Sequence, residues 1–108
     1  MPKKTLHPSA VPTLIQERLR SWGLVIRKQR MLQRIRAADL CVRMEISEAT
    51  LRRLERGDAG AGAGLYLMAF QILGVLDELA PPPPASLWSP EAGQRVRLPA
   101  KERDADYF

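Results

Sequence analysis

The stretch ISEATLRRLERG, residues 46–57, places two adjacent arginines, Arg52 and Arg53, on one turn of a predicted helix. A guanidinium group carries a permanent positive charge and five N–H donors in a planar fork, which suits anionic oxygens and paired acceptors. Leu51 and Leu54 recur on another side of the helix, at a spacing typical of a buried face. The pattern predicts a helix that packs its leucines inward and presents its arginines to an anionic partner.

Basic residues are concentrated in the first part of the chain. The 108 residues carry a net charge of +5, but residues 1–75 hold 13 Lys or Arg against 6 Asp or Glu, a net +7. Residues 76–108 hold 4 against 6, a net −2, whereas residues 18–36 alone hold seven basic residues and no acidic one. A solvated helix face usually mixes both signs. This distribution therefore favours an anion-binding surface over plain solubility.

Catalytic and metal chemistry find little support. Cys41 is the single cysteine and His7 the single histidine, so we expect no disulfide, no metal site and an inert, packed Cys41. No paired carboxylates stand on a rigid element, and we therefore expect neither an enzyme nor a cofactor. The N-terminus lacks the apolar core of a secretory signal, and no apolar run would span a membrane, so we expect a cytoplasmic protein.

The first predicted helix runs from about Leu14 to about Gln29. Thr13 and Gln16 fit a capping box at its start. Its inward face is predicted from residues at spacings of four, three and four, namely Ile15, Leu19, Trp22 and Ile26. Residues 1–12, which are polar and broken by prolines, are expected to form a disordered N-terminal arm.

Two short helices follow with almost no linker. The segment AADLCVRM, residues 37–44, has one apolar side formed by Leu40, Cys41 and Met44. The next helix is predicted to start after Ser47 as its N-cap and to stop at Gly57, with Ile46, Leu51 and Leu54 inward. Because only two or three residues join these helices, we expect the steep crossing of a helix-turn-helix unit.

The remaining chain divides into an apolar helix and a tail. GDAGAGAG, residues 57–64, lacks the Lys-Ser/Thr of a phosphate-binding loop and is predicted to be a flexible link. A fourth helix over 64–73 is expected to share one face among Leu65, Met68, Ala69 and Ile72, and a short fifth helix to follow over 75–80. Residues 81–108 are predicted to form a Pro-rich linker and a mostly irregular tail, with one short strand at 94–98.

The run from Trp22 to Val75 resembles the Xre-type, or Cro/repressor-like, helix-turn-helix family. The matching segments are WGLVIRKQR at 22–30, DLCV at 39–42, ISEATLRRLERG at 46–57 and ILGV at 72–75. They keep their mutual spacing over about half the chain. The resemblance implies an all-α, five-helix domain over residues 13–80 that binds double-stranded DNA as a homodimer, with the third helix in the major groove.

This sequence departs from the family pattern at three positions. Ala37 stands where a phosphate-gripping Gln is usual, and Arg36 stands where a capping Ser or Thr is usual. Glu45 occupies a turn position where glycine is common, so we expect a positive φ and some backbone strain there. These departures leave open a second interpretation, a protein-binding inhibitor whose DNA-binding module has degenerated.

The resemblance assigns roles to individual side chains. Arg52 is expected to read guanine, with Glu48 accepting from a cytosine amine and Ala49 touching a thymine methyl. Phosphate contacts are expected from Ser47, Arg53, Lys28, Arg34 and Arg36. Arg30 and Glu55 would form a structural ion pair between the first and third helices. Leu76 and Leu79, with part of the fourth helix, are the expected dimer surface.

A looser resemblance concerns the C-terminal part. LGVLDELA at 73–80, the basic RVRLP at 95–99 and the acidic, aromatic end resemble HipB-type antitoxins, which repress their own operon and bind a HipA-like kinase toxin. The resemblance implies a toxin-binding tail that includes Trp88, Tyr107 and Phe108. A stand-alone Xre-type regulator without a toxin is the other possibility that the sequence leaves open.

Overall fold

Five α-helices and two short 3₁₀ turns make up residues 10–90, the part of the chain that the computed structural model describes. The helices are α1 Thr13–Leu32, α2 Ala37–Met44, α3 Glu48–Glu55, α4 Ala63–Leu73 and α5 Leu76–Leu79, and the 3₁₀ turns are Ala59–Ala61 and Ala85–Leu87. No strand occurs within residues 10–90, so the expected all-α class is confirmed for them. The predicted strand at 94–98 and most of the N-terminal arm lie outside the described residues.

The hydrophobic core lies where α1, α2, α3 and α4 meet. Its buried apolar members are Ile26, Leu40, Cys41, Met44, Leu51, Leu54, Tyr66, Ala69, Phe70 and Leu73. Trp22 packs edge-on against Phe70, with ring centroids 5.0 Å apart and ring planes at 85°. Such edge-to-face pairs add to the stability that burial provides, so the aromatic rings fix how α4 lies against α1.

The predictions for α2 and for the start of α3 are confirmed. α2 has the predicted bounds and buries Leu40, Cys41 and Met44. The Ser47 Oγ accepts a hydrogen bond from the Thr50 N–H at 3.1 Å, as an N-cap residue does. Glu45 has φ 55°, so the positive φ expected at this turn is also present. Arg34, after the end of α1, has a similar φ of 58°, which the sequence did not indicate.

The predicted start and inner face of α1 are partly wrong. Thr13 is already helical, Pro12 is the N-cap residue, and no side chain caps this end. The Gln16 amide instead donates to the Gly57 carbonyl at 3.2 Å, so a distant part of the fold uses the residue assigned to the capping box. Ile15 is 48% exposed, because the core begins only further along α1, near Leu19.

The predicted inner face of α4 is shifted by about one residue. The buried positions are Tyr66, Ala69, Phe70 and Leu73, whereas Met68 is exposed. Nearly every residue of this helix is apolar, so periodicity alone could not set its rotation. The Tyr66 hydroxyl also donates to the Asp58 carbonyl at 2.8 Å, which turns the tyrosine inward.

The glycine-rich segment 57–64 makes defined contacts, which corrects its prediction as a flexible link. The Asp58 carboxylate accepts from the Gly60 N–H at 2.7 Å and caps the turn Ala59–Ala61. Gly57, at φ 76°, ends α3 against α1, where a Cβ would lie 2.5 Å from the Arg20 Cα. The segment therefore connects α3 to α4 along a fixed path.

α1 and α3 touch through backbone at Gly23. A Cβ on Gly23 would lie 2.6 Å from both the Leu54 and the Glu55 carbonyl oxygens. Real side chains do not approach backbone atoms so closely, and neither helix can yield locally. A residue without a side chain is therefore required for α3 to lie at its observed distance from α1.

We expect Gly23→Ala to lower the free energy of unfolding by roughly 3 kcal/mol, because the added methyl overpacks two backbone carbonyls. Gly64→Ala is the matched control, since its Cβ would meet nothing within 4 Å. In a helix that change should be neutral or stabilise by up to about 1 kcal/mol. Urea unfolding of both variants measures the difference, and equal stabilities would contradict the close contact.

Candidate nucleic-acid interface

The position of α3 is fixed on its inner side and at both ends. Leu51 and Leu54 are buried in the core, and Ile46 packs against it just before the helix. Ser47 caps the N-terminus, and Gly57 follows the C-terminal residue in a left-handed conformation. The outer face of this short helix is therefore presented at a defined angle.

The exposed face of α3 carries the three residues predicted to read bases. Glu48, Ala49 and Arg52 are all exposed, and at about 100° per residue they lie on the side opposite the leucines. Within residues 10–90, Arg52 forms no ion pair, so its donors are available to a ligand. Arg56, one turn later, is also exposed beside Arg52. Sequence reasoning did not single out Arg56, although its four-residue spacing from Arg52 could have indicated that it lies on the same face.

Arg53 differs from Arg52 because an acidic neighbour binds it. Its Nε donates to Asp58 Oδ2 at 3.1 Å, and both side chains are partly exposed. The hydrogen bond from the Gly60 N–H, followed by that from Arg53, lowers the pKa of Asp58 below its ordinary value of 3.8. Asp58 is thus charged at neutral pH and holds one edge of the guanidinium, which leaves the two terminal nitrogens of Arg53 for an anion.

Arg30 and Glu55 form the ion pair that ties α1 to the end of α3. Arg30 Nε lies 2.8 Å from Glu55 Oε2, and Arg30 Nη2 lies 3.4 Å from Oε1. Arg30 Nη1 also donates to the Ile35 carbonyl at 3.2 Å. The side chains are only 15% and 10% exposed, so the loss of either partner would leave a poorly solvated charge. Both groups are used internally and are not free to bind a ligand.

Arg34 and Arg36 lie in the connection between α1 and α2, and both are exposed. Arg36 Nε donates to Asp39 Oδ2 at 3.1 Å in a solvent-exposed pair. Such pairs contribute at most about 1 kcal/mol, so a phosphate could displace the carboxylate at little cost. These two residues form a basic corner where α2 begins.

Lys28 does not share a surface with the α3 residues. It lies two residues before Arg30, which is about 200° around α1. Since Arg30 faces α3, Lys28 lies on the opposite side of α1, where it lines a shallow groove with Leu24 and Met31. The predicted phosphate-binding set is thus divided between two faces of the domain.

The residues predicted to contact a second copy or a toxin differ from one another in their exposure. Leu76 and Leu79 are partly buried against their own core, so only part of each side chain is available. Leu67 and Met68 of α4 are exposed. Trp88 is exposed, with its Nε1 donating to the Pro83 carbonyl at 3.2 Å. Tyr107 and Phe108 lie outside the described residues.

Two buried groups are held in their neutral forms. Burial raises the pKa of the Cys41 thiol, which packs among core residues as predicted. Burial, with the nearby charge of Asp58, raises the pKa of Tyr66 to about 12. Neither group therefore supplies an ionised nucleophile at neutral pH.

Comparisons of the chain with family models, with curated proteins and with solved structures each found no match. Among residues 10–90, no cluster of three or more His, Cys, Asp or Glu side chains could hold a metal ion. No helix in that part of the chain is both long enough and apolar enough to cross a membrane.

Replacing Asp58 by Asn is expected to lower the free energy of unfolding at pH 7 by about 0.5 kcal/mol, since solvent screens the partly exposed pair with Arg53. Asn keeps the oxygen that caps Gly60, but its NH2 group replaces the oxygen that accepts from Arg53, so the substitution removes both the charge and that hydrogen bond. Because the pKa of Asp58 is lowered by folding, its stabilisation is present above about pH 4 and is lost as the pH falls through the folded pKa. Urea unfolding at pH 7 and at several pH values below 4 should show the difference between the two proteins shrink as the pH falls, and a constant difference would contradict this role.

Proposed function

We propose that the chain is a sequence-specific DNA-binding repressor with an Xre-type helix-turn-helix fold, in which α3 is the recognition helix. The observation that carries this proposal is Arg52, which is exposed and free of any ion pair within residues 10–90, on a helix fixed along its opposite side. The tight connection of α2 to α3 over Glu45–Ser47 supports the same fold. We propose a binding function without catalysis, and we propose that the protein acts in the cytoplasm.

Recognition of bases follows from the chemistry of the exposed face. An α-helix fits the major groove, where guanine presents the O6 and N7 acceptors to a two-pronged donor. Arg52 has that donor geometry. Glu48 accepts from a cytosine N4 amine, and Ala49 contacts a thymine methyl group.

Phosphate contacts orient the domain on the duplex. Ser47 lies at the N-terminus of α3, where backbone N–H groups and the helix dipole favour an anion. Arg34 and Arg36 supply charge at the α1–α2 corner, and Arg53 supplies its terminal nitrogens. Because few cations serve each subunit, one copy binds weakly. Two copies with half-sites about 34 Å apart supply the affinity, joined through Leu76, Leu79 and the exposed side of α4.

We expect Arg52→Ala to remove the preference for one base pair, a loss of about 1 to 3 kcal/mol of discrimination. Arg27→Ala is the matched control, because it removes one exposed arginine from the outer face of α1. Selection of binding sequences from a random duplex library, followed by gel-shift titration, measures both variants. An unchanged base preference for Arg52→Ala, with the fold intact by circular dichroism, would remove Arg52 from the reading face.

We further propose that this repressor is the antitoxin of a type II toxin–antitoxin pair, which neutralises a HipA-like kinase through its C-terminal part. The exposed indole of Trp88, beyond the four-proline spacer, supports a partner contact at this end. Residues 81–108 hold four Lys or Arg and four Asp or Glu, a net charge of zero, whereas residues 1–75 carry a net +7. The tail therefore lacks the excess positive charge of the first part of the chain, and a partner can bind it without competing for the basic surface of α3.

Removal of residues 81–108 is expected to abolish capture of a HipA-like kinase in a pull-down while leaving operator binding in place. A full-length Trp88→Ala variant is the milder test, because it removes one large side chain and no backbone. Loss of both activities would indicate that the tail stabilises the domain. Kinase capture by a protein that selects no DNA sequence would favour the alternative, an inhibitor with a degenerate DNA-binding module, for which the backbone strain at Glu45 is the supporting feature.

A further inference from the structure

The outer face of α1 is apolar at its centre, although it does not contact the core. Leu24, Met31 and Leu32 are 60%, 57% and 64% exposed. With Arg27 and Lys28 they line a shallow groove along the last turns of the helix. Exposed leucine and methionine side chains that adjoin one another, rimmed by charge, mark an interaction site more often than isolated ones do.

The charge of this groove restricts what can cover it. Arg27 and Lys28 flank the apolar centre, and Glu17, two turns earlier, is the only acidic residue of α1. A second copy of α1 would bring these cations against their equivalents, which costs free energy. A nucleic acid would pair with the cations but would leave the apolar centre without a partner. The groove therefore suits a short peptide that carries both acidic and apolar side chains.

The chain itself contains such a peptide at residues 104–108. This segment, DADYF, combines Asp104 and Asp106 with Tyr107 and Phe108. Fourteen residue steps separate Pro90 from Asp104, and in extended form they reach about 46 to 50 Å. The longest dimension of the structure is 52 Å, so a segment tethered at Pro90 can reach across most of the domain. A tethered peptide is present at an effective concentration in the millimolar range, so weak contacts suffice.

We propose that residues 104–108 dock on the outer groove of α1, with the two aromatic rings over Leu24 and Met31 and the two carboxylates beside Arg27 and Lys28. The groove is lined by residues of α1 alone, so this contact leaves the exposed face of α3 uncovered. It covers an apolar surface that is otherwise open to water. A partner that binds the same aromatic residues must first displace them from α1.

Paramagnetic relaxation tests the contact in the full-length protein. A nitroxide attached at Ala105→Cys leaves all four contacting side chains in place. Cys41 is buried and protonated, so the label reacts at the new cysteine. We expect the amide signals of residues 24–32 to lose the most intensity, and those of the helices further from the groove to lose less, relative to the label reduced with ascorbate. Uniform signals across the domain, or losses centred elsewhere, would overturn the proposal.

Two further samples identify the interaction. Arg27→Glu with Lys28→Glu should restore the lost intensities, whereas Arg43→Glu, which reverses an exposed charge on α2, should not. If the α1 double variant and Arg43→Glu restored the intensities equally, the effect would depend on net charge alone, which would contradict binding at a specific groove. A mixture of spin-labelled protein with isotope-labelled protein that lacks the nitroxide tests the source of the peptide. Broadening in that mixture would assign the groove to the tail of a second copy and would contradict docking within one chain.

Discussion

The absence of a side chain at Gly23 is the constraint on which the position of α3 depends. The backbone of α1 approaches the Leu54 and Glu55 carbonyls so closely that even a methyl group would not fit. This contact brings Arg30 within 2.8 Å of the Glu55 carboxylate, in a place where water hardly reaches. Steric fit and ion pairing thus act on the same junction. A free energy of a few kcal/mol, which is a large part of a small domain's stability, depends on it.

The sequence predicted the elements that depend on local chemistry and failed where tertiary contacts decide. The bounds of α2 and the Ser47 cap follow from residues next to each other in the chain, and the structure agrees. The positive φ of Glu45 was expected from the resemblance instead, because glycine is common at that turn position in the family that the chain resembles. Gln16 was assigned to a local cap, but it donates to a carbonyl 41 positions away. The rotation of α4 was wrong for a related reason. A helix that is apolar on every side carries no periodic signal, so only its neighbours, through Trp22 and Asp58, determine which side is buried.

The exposure of the outer face of α3, which carries Arg52, could be predicted from the sequence. The different bonding of Arg52 and Arg53 could not. Leu51 and Leu54 fix which side of α3 is inward, so Arg52 must be outward. Whether Arg53 is free depends on Asp58, which lies beyond the end of the helix in a segment that looked like a flexible link. There a backbone N–H and a guanidinium both bind the carboxylate. Two adjacent arginines therefore differ in their bonding because of a loop whose sequence contains mainly glycine and alanine.

The inner and outer faces of α1 have different contacts, and this difference limits how the two faces can influence each other. The inner face is locked to α3 by Gly23 and Arg30, so a ligand on the outer face cannot shift α3 without unpacking the core. An effect across the helix must therefore be electrostatic. The diameter of a helix with its side chains is about 10 to 12 Å, whereas the screening length at physiological salt is about 8 Å. Neutralising Arg27 and Lys28 would thus weaken the attraction of the domain for an anion only modestly. The outer groove can accept and release a peptide while the surface of α3 keeps its geometry.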